Sequence, residues 1–141
     1  MTIAYLDTSS LVKLYIQEEG SDVVLDLLHM ADALVTSVVA YPEARAAFSR
    51  RYHEGGFNSK EFNRIKQGLN DDWQHYAVVQ LTPDLALKAG EIAEIRRVRG
   101  FDAIHLASAL ALQVKLTDSI IFSCFDHRLN KAAEQAGLKL G

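Results

Sequence analysis

The sequence predicts an α/β fold: a three-layer sandwich around a central, mostly parallel sheet of 4–5 strands. Three observations predict it. The chain opens on an apolar run, Thr2-Ile3-Ala4-Tyr5-Leu6, with almost no polar interruption, which is the pattern of a strand buried on both faces. Asp7 and three hydroxyl residues follow at once, a start signal for a helix. From there short apolar runs alternate with segments of helical period, without repeat, linker or low-complexity stretch, as βαβ units require.

Each element has its own signature. After the first helix, Glu18-Glu19-Gly20 punctuates the chain and Ser21 caps a second helix, with Val23, Val24, Leu27, Leu28 and Met30 on one face. Ala33 to Thr36 reads as the second strand. Ser37 or Ala40 then starts a helix in which Pro42 belongs to the first turn or makes a kink, because proline has no N–H to donate. Gly55-Gly56 breaks the chain. Asn58 and Glu61 have capping-box spacing ahead of Phe62, Ile65, Leu69 and Trp73 on one helical face. Tyr76 to Leu81 reads as a strand, and Thr82-Pro83-Asp84 starts a helix that stops before Gly100, its expected C′ residue. Asp102 opens a helix apolar around most of its circumference, hence an interior one. Ile120 to Phe125 is the fourth strand, Asp126 starts a helix closed by Gly137, and Leu138 to Leu140 adds an edge strand.

With 141 residues, 49% apolar and 23% charged, the chain has the size and make-up of one soluble globular domain spanning 1–141. No stretch has the length of a membrane span and the start lacks a signal-peptide pattern, so a cytoplasmic location is expected. A single cysteine, Cys124, excludes an internal disulfide and a cysteine metal cluster. The net charge of −3 argues against coating nucleic acid by bulk electrostatics. Local basic clusters remain: Arg45 with Arg50 and Arg51, Arg96 with Arg97 and Arg99, His127 with Arg128. Each of these also reads as a solvated helix face.

Asp7, Glu43 and Asp126 share one address: each follows the carboxyl end of a strand, where the chain turns into a helix. Asp102 opens a helix after a glycine turn. Acids stabilise helix N-termini by about 0.3–1 kcal/mol, which explains each singly. Parallel topology puts such strand ends on one edge, so the four carboxylates should converge. Two charges about 4 Å apart cost roughly 4 kcal/mol at an effective dielectric near 20. Such a cluster demands a raised pKa or a cation. All-oxygen donors suit Mg²⁺ or Mn²⁺, which activate water and stabilise charge on a phosphodiester.

Tyr5-Leu6-Asp7-Thr8-Ser9-Ser10-Leu11-Val12-Lys13-Leu14-Tyr15, Phe101-Asp102-Ala103-Ile104-His105-Leu106-Ala107-Ser108-Ala109-Leu110 and Phe125-Asp126-His127-Arg128-Leu129 together resemble the PIN-domain ribonucleases, specifically VapC-type toxins of toxin–antitoxin pairs. The resemblance spans essentially the whole chain. It implies a PIN-like fold and a Mg²⁺- or Mn²⁺-dependent endoribonuclease with an acidic quartet of Asp7, Glu43, Asp102 and Asp126. It also implies a homodimer inhibited by a cognate antitoxin protein. One departure is Cys124, where a threonine or serine commonly precedes the last acid by two; Ser123 is one position off, and Asp118 is a rival for the fourth place.

Among single residues, Ser9 is a cap, a carboxylate-orienting group or a ligand through water, and Ser123 is a second supporting candidate. His105 lies one turn beyond Asp102 on the same helix face, as a packed, hydrogen-bonded histidine or as a general base. Lys13, Arg45 and Arg97 are candidate RNA contacts. Two other readings compete. An aspartyl-phosphate enzyme would use Asp7 as nucleophile, yet its haloacid-dehalogenase form wants an acid at the place of Ser9. A catalytically silent PIN-like module would bind RNA or protein.

Overall fold

Five strands and seven helices alternate along the chain in the computed structural model, which describes residues 1–141. They are β1 (Thr2–Leu6), α1 (Thr8–Val12), α2 (Ser21–Met30), β2 (Ala33–Ser37), α3 (Ala40–His53), α4 (Ser59–Trp73), β3 (Ala77–Val79), α5 (Pro83–Arg96), α6 (Gly100–Lys115), β4 (Ser119–Ser123), α7 (His127–Gln135) and β5 (Lys139–Leu140). The sheet order is β3-β2-β1-β4-β5 and every pairing is parallel. The expected three-layer α/β sandwich is what forms.

β1 is central because its alternation serves two cores at once. Ile3 and Tyr5 face a cluster shared with α5, α6 and α7, built on Leu106, Phe122 and Leu129. Ala4 and Leu6 face the opposite cluster, where Leu11, Val24, Phe48 and Leu69 come from α1 to α4. Burying one Leu or Phe side chain completely contributes about 1.5–3 kcal/mol. Leu106→Ala, at a site with no exposure, is therefore a change that costs about 2–5 kcal/mol. The chain leaves β1 for β2 on one side and returns to β4 on the other. That reversal opens a crevice at the carboxyl ends of β1 and β4, the usual ligand position in such sheets.

Several boundaries differ from those the sequence suggests. Gly20, not Ser21, is the N-cap of α2; its φ of 93° is left-handed, and a Cβ there would lie 2.6 Å from the Phe125 ring. Ser21 instead closes the turn, donating to Ile16 O and accepting from Glu18 N. Val23 and Met30 are exposed; the buried face of α2 is Ser21, Val24 and Leu27. Gly100 is not a C′ residue but the first residue of α6, and the left-handed turn after α5 is taken by Arg97 at φ 56°. β4 ends at Ser123, so Cys124 and Phe125 lie in the loop. Pro42 sits in the first turn of α3, without breaking it. The caps from Asn58 and Thr82 form as the sequence implies.

Candidate active site

The Asp7 carboxylate caps α1, and its Oδ1 accepts from Ser10 N at 3.0 Å and from Ser9 Oγ at 2.7 Å. Ser9 thus orients the carboxylate, while Asp7 itself is the cap. Asp7 N donates to Ser123 O, and Ser123 Oγ pairs with Ser10 Oγ. Ser123 therefore supports Asp7 from behind the crevice. Asp7 is only 4% exposed, yet no buried side-chain oxygen lacks a partner, so its second oxygen reaches the crevice surface.

Glu43 comes from the first turn of α3 and Asp102 from the first turn of α6. His105, one turn along α6, joins Glu43 to the core. Burial pushes the Tyr5 phenol up, so it keeps a proton to donate to His105 Nδ1, 2.9 Å away. The Nε2 proton then faces Glu43 Oε1 at 3.2 Å and Thr8 Oγ1 at 3.0 Å, and Thr8 donates to the same Glu43 oxygen. Both bonds to Glu43 fall on Oε1, and Oε2 accepts none.

The electrostatics separate the acids. Burial raises Asp7 above the usual carboxylate range, against the opposing pull of His105 and the Ser9 and Ser10 bonds. Burial also raises Asp102, and the neighbouring Asp126 and Glu43 charges add to it. Burial acts upward on Glu43 too, but the hydrogen bonds from His105 and Thr8 outweigh it and hold that carboxyl low. Asp126 is the exposed N-cap of α7, accepting from Leu129 N at 2.8 Å.

Asp7, Glu43, Asp102 and Asp126 line one polar cleft of about 590 Å³, together with Ser9, Lys13 and His105. Lys13 is tied to Glu18 at 3.2 Å and lies 4.3 Å from the Phe125 ring centroid. Glu18 also holds Arg51 at 2.6 Å. Two of the three candidate RNA contacts lie outside this cleft's lining. Arg45 donates to Tyr41 Oη, and Arg97 is on the far side of the α5–α6 turn. Asp118 pairs with the Met1 amino group at the opposite edge of the sheet, leaving the cleft to Asp126. Cys124 is buried and donates to Asn130 Oδ1. Thr8, Tyr5 and Glu18 went unnoticed as site residues in the sequence; only Thr8, beside Asp7, carried a local signal.

No three of the His, Cys, Asp and Glu side chains stand close enough to hold an ion directly between them. An all-oxygen donor set suits a hard cation, and one held here would keep part of its water shell, as Mg²⁺ commonly does. No helix is long and apolar enough to cross a membrane.

A PIN domain profile matches residues 4–135. The chain is 34% identical over 140 residues to ribonuclease VapC45 of Mycobacterium tuberculosis (strain CDC 1551 / Oshkosh), covering 99% of this chain and 95% of that one. The same figures hold for ribonuclease VapC49 of Mycobacterium tuberculosis (strain ATCC 25618 / H37Rv). Among solved structures it is similar to FitAcB from Neisseria gonorrhoeae, with TM-score 0.71 and 14% identity over 97% of this chain and 95% of that one. VapBC2 from Rickettsia felis, bound to a fragment of its promoter DNA, gives TM-score 0.65 and 15% identity over 99% and 97%. At those identities the structural likeness concerns the fold.

Proposed function

The chain belongs to the PIN-domain family, alongside the VapC ribonucleases, and from that membership we propose that it is a metal-dependent endoribonuclease, the toxin of a toxin–antitoxin pair. One observation carries the reading beyond family: four acids from separate segments line a single cleft at the point where the sheet order reverses. In this reading residues 1–141 act as one nuclease domain in the cytoplasm, as a homodimer restrained by an antitoxin. The structural neighbours include a VapBC complex, which supports such a partner.

Asp7 and Asp102 would hold Mg²⁺ or Mn²⁺, with Glu43 and Asp126 completing the site through water. When bound, the ion supplies charge neutralisation at the scissile phosphate and a more acidic water. The chain's own residues do the rest. Ser9 and Ser10 fix the Asp7 carboxylate so that one oxygen stays free. Thr8 and His105 keep Glu43 ionised and turned to the cleft, with Tyr5 holding the His105 ring. Lys13 and Arg99 meet the RNA backbone, and no residue becomes covalently modified.

The test is growth on expression alone and beside the neighbouring small open reading frame, together with cleavage of cellular RNA by purified protein in Mg²⁺ and in EDTA. Wild type alone should arrest growth, the partner and Asp102→Asn should each restore it, and EDTA should stop cleavage. Equal growth in every arm and no cleavage would refute the reading. Labelled phosphate on Asp7 would favour the acyl-phosphate alternative instead.

A further inference from the structure

A second concave surface, of about 620 Å³, lies between the C-terminal end of α5 and one face of α7. Arg96, Arg97, His127, Arg128 and Lys131 line it, and no acid does. None of the five makes an ion pair, and the one side-chain bond among them is a 3.5 Å contact from Arg96 to Gln135. Stability explains part of this set. Arg96 and Arg97 end a helix, where the macrodipole favours cations. His127, Arg128 and Lys131 do the opposite: they crowd the first turns of α7, whose dipole favours anions, with the Asp126 cap as the one acid beside them. Backbone strain points to the same place. Arg97 is the chain's sole non-glycine residue at positive φ, and its exposed side chain joins the surface.

This surface continues the acid cleft. Asp126 lines the cleft and the next residue, His127, lines the basic surface; Arg99 and Arg97 are divided the same way. We infer that the basic surface is a phosphate-binding track for the single-stranded RNA flanking the scissile bond, entering or leaving the cleft past Asp126. The inference rests on the nuclease reading. It also adds to the cleft's own Lys13 and Arg99 a further local reason for a polyanion to dwell beside four carboxylates on a chain of net charge −3.

The test is binding of a 5′-fluorescein-labelled twelve-nucleotide oligouridylate in EDTA across a salt series, for wild type and the exposed pair Arg128→Gln/Lys131→Gln. Each lost phosphate contact lowers the slope of log K against log salt by about 0.7 for a single strand. The double variant should bind at least about tenfold more weakly with a slope lower by about 1.4. The charge-keeping pair Arg128→Lys/Lys131→Arg, with an unchanged melting curve, should restore the slope. Equal affinity and slope in wild type and Gln variant would overturn the track, while cleavage by wild type in Mg²⁺ would leave the nuclease reading standing. Loss of antitoxin binding by the Gln variant with RNA binding intact would give the surface to a protein partner and overturn the track as well. No RNA binding and no cleavage by wild type would remove both.

Discussion

Asp7 and Asp126 hold the same local office and live in different worlds. Each follows a strand, caps the helix after it and accepts a backbone N–H three residues on. Asp7 comes directly off the central strand and is almost wholly buried; Asp126 lies three residues past β4 and is exposed. The difference teaches that the capping motif places a carboxylate at the sheet edge, whereas the sheet order decides its solvent and neighbours. Burial holds Asp7 above its ordinary range. Asp126 contributes charge toward Asp102 and marks the border of the basic surface.

The largest expected effect is on catalysis. Asp7→Asn or Asp102→Asn should lower kcat/KM for RNA cleavage by on the order of 10²–10³-fold or more, since on the proposed reading each removes a charge that would hold the ion. Asp126→Asn should cost less, because an exposed carboxylate is partly replaced by solvent. Equal losses at all four acids would break the contrast between the two aspartates.

Stability should run the other way. Asp7→Asn keeps the cap and removes a buried charge, so the metal-free protein should melt higher by roughly 2–6 °C at neutral pH. The raised acid penalises folding above its folded pKa, and that penalty disappears as pH falls through the folded value to the unfolded one. The gain of Asp7→Asn over wild type should therefore shrink on acidification. Glu43 has the opposite sign: its lowered pKa stabilises the fold above the unfolded value, and this is lost as pH drops through the folded one. Paired melting curves of wild type, Asp7→Asn and Glu43→Gln check both signs.

At the other aspartate, Asp126→Ala should cost about 1 kcal/mol of stability by loss of the cap, and Asp126→Asn almost none, read from urea unfolding midpoints. Tyr5→Phe should act on catalysis far less than the loss of an acid. Removing the hydroxyl leaves His105 Nδ1 without that partner, costing about 1 kcal/mol and loosening Glu43, with a several-fold drop in kcat and little change in KM.

The layers, the parallel sheet and the four acids were legible in the sequence because each rests on local pattern: apolar runs, helix starts, an acid after a strand. The sheet order was not, since no local pattern says that β1 pairs with both β2 and β4, and it is this pairing that buries Asp7. The partners of Glu43 were also hidden, because Thr8 and His105 reach it across 35 and 62 residues. Gly100 misled for a physical reason: Arg97 takes the left-handed turn a glycine usually takes, and frees Gly100 to begin α6. Asp118 and Asp126 flank the same strand and so lie at its opposite ends, and parallel pairing puts the Asp126 end beside Asp7.

Calorimetric titration of Mn²⁺ into the purified protein tests the central claim most directly. Binding should be stoichiometric, abolished in Asp7→Asn and Asp102→Asn, weakened in Asp126→Asn and unaltered in Asp118→Asn. Absence of binding by wild type, or binding that Asp7→Asn and Asp102→Asn leave unchanged, would contradict it.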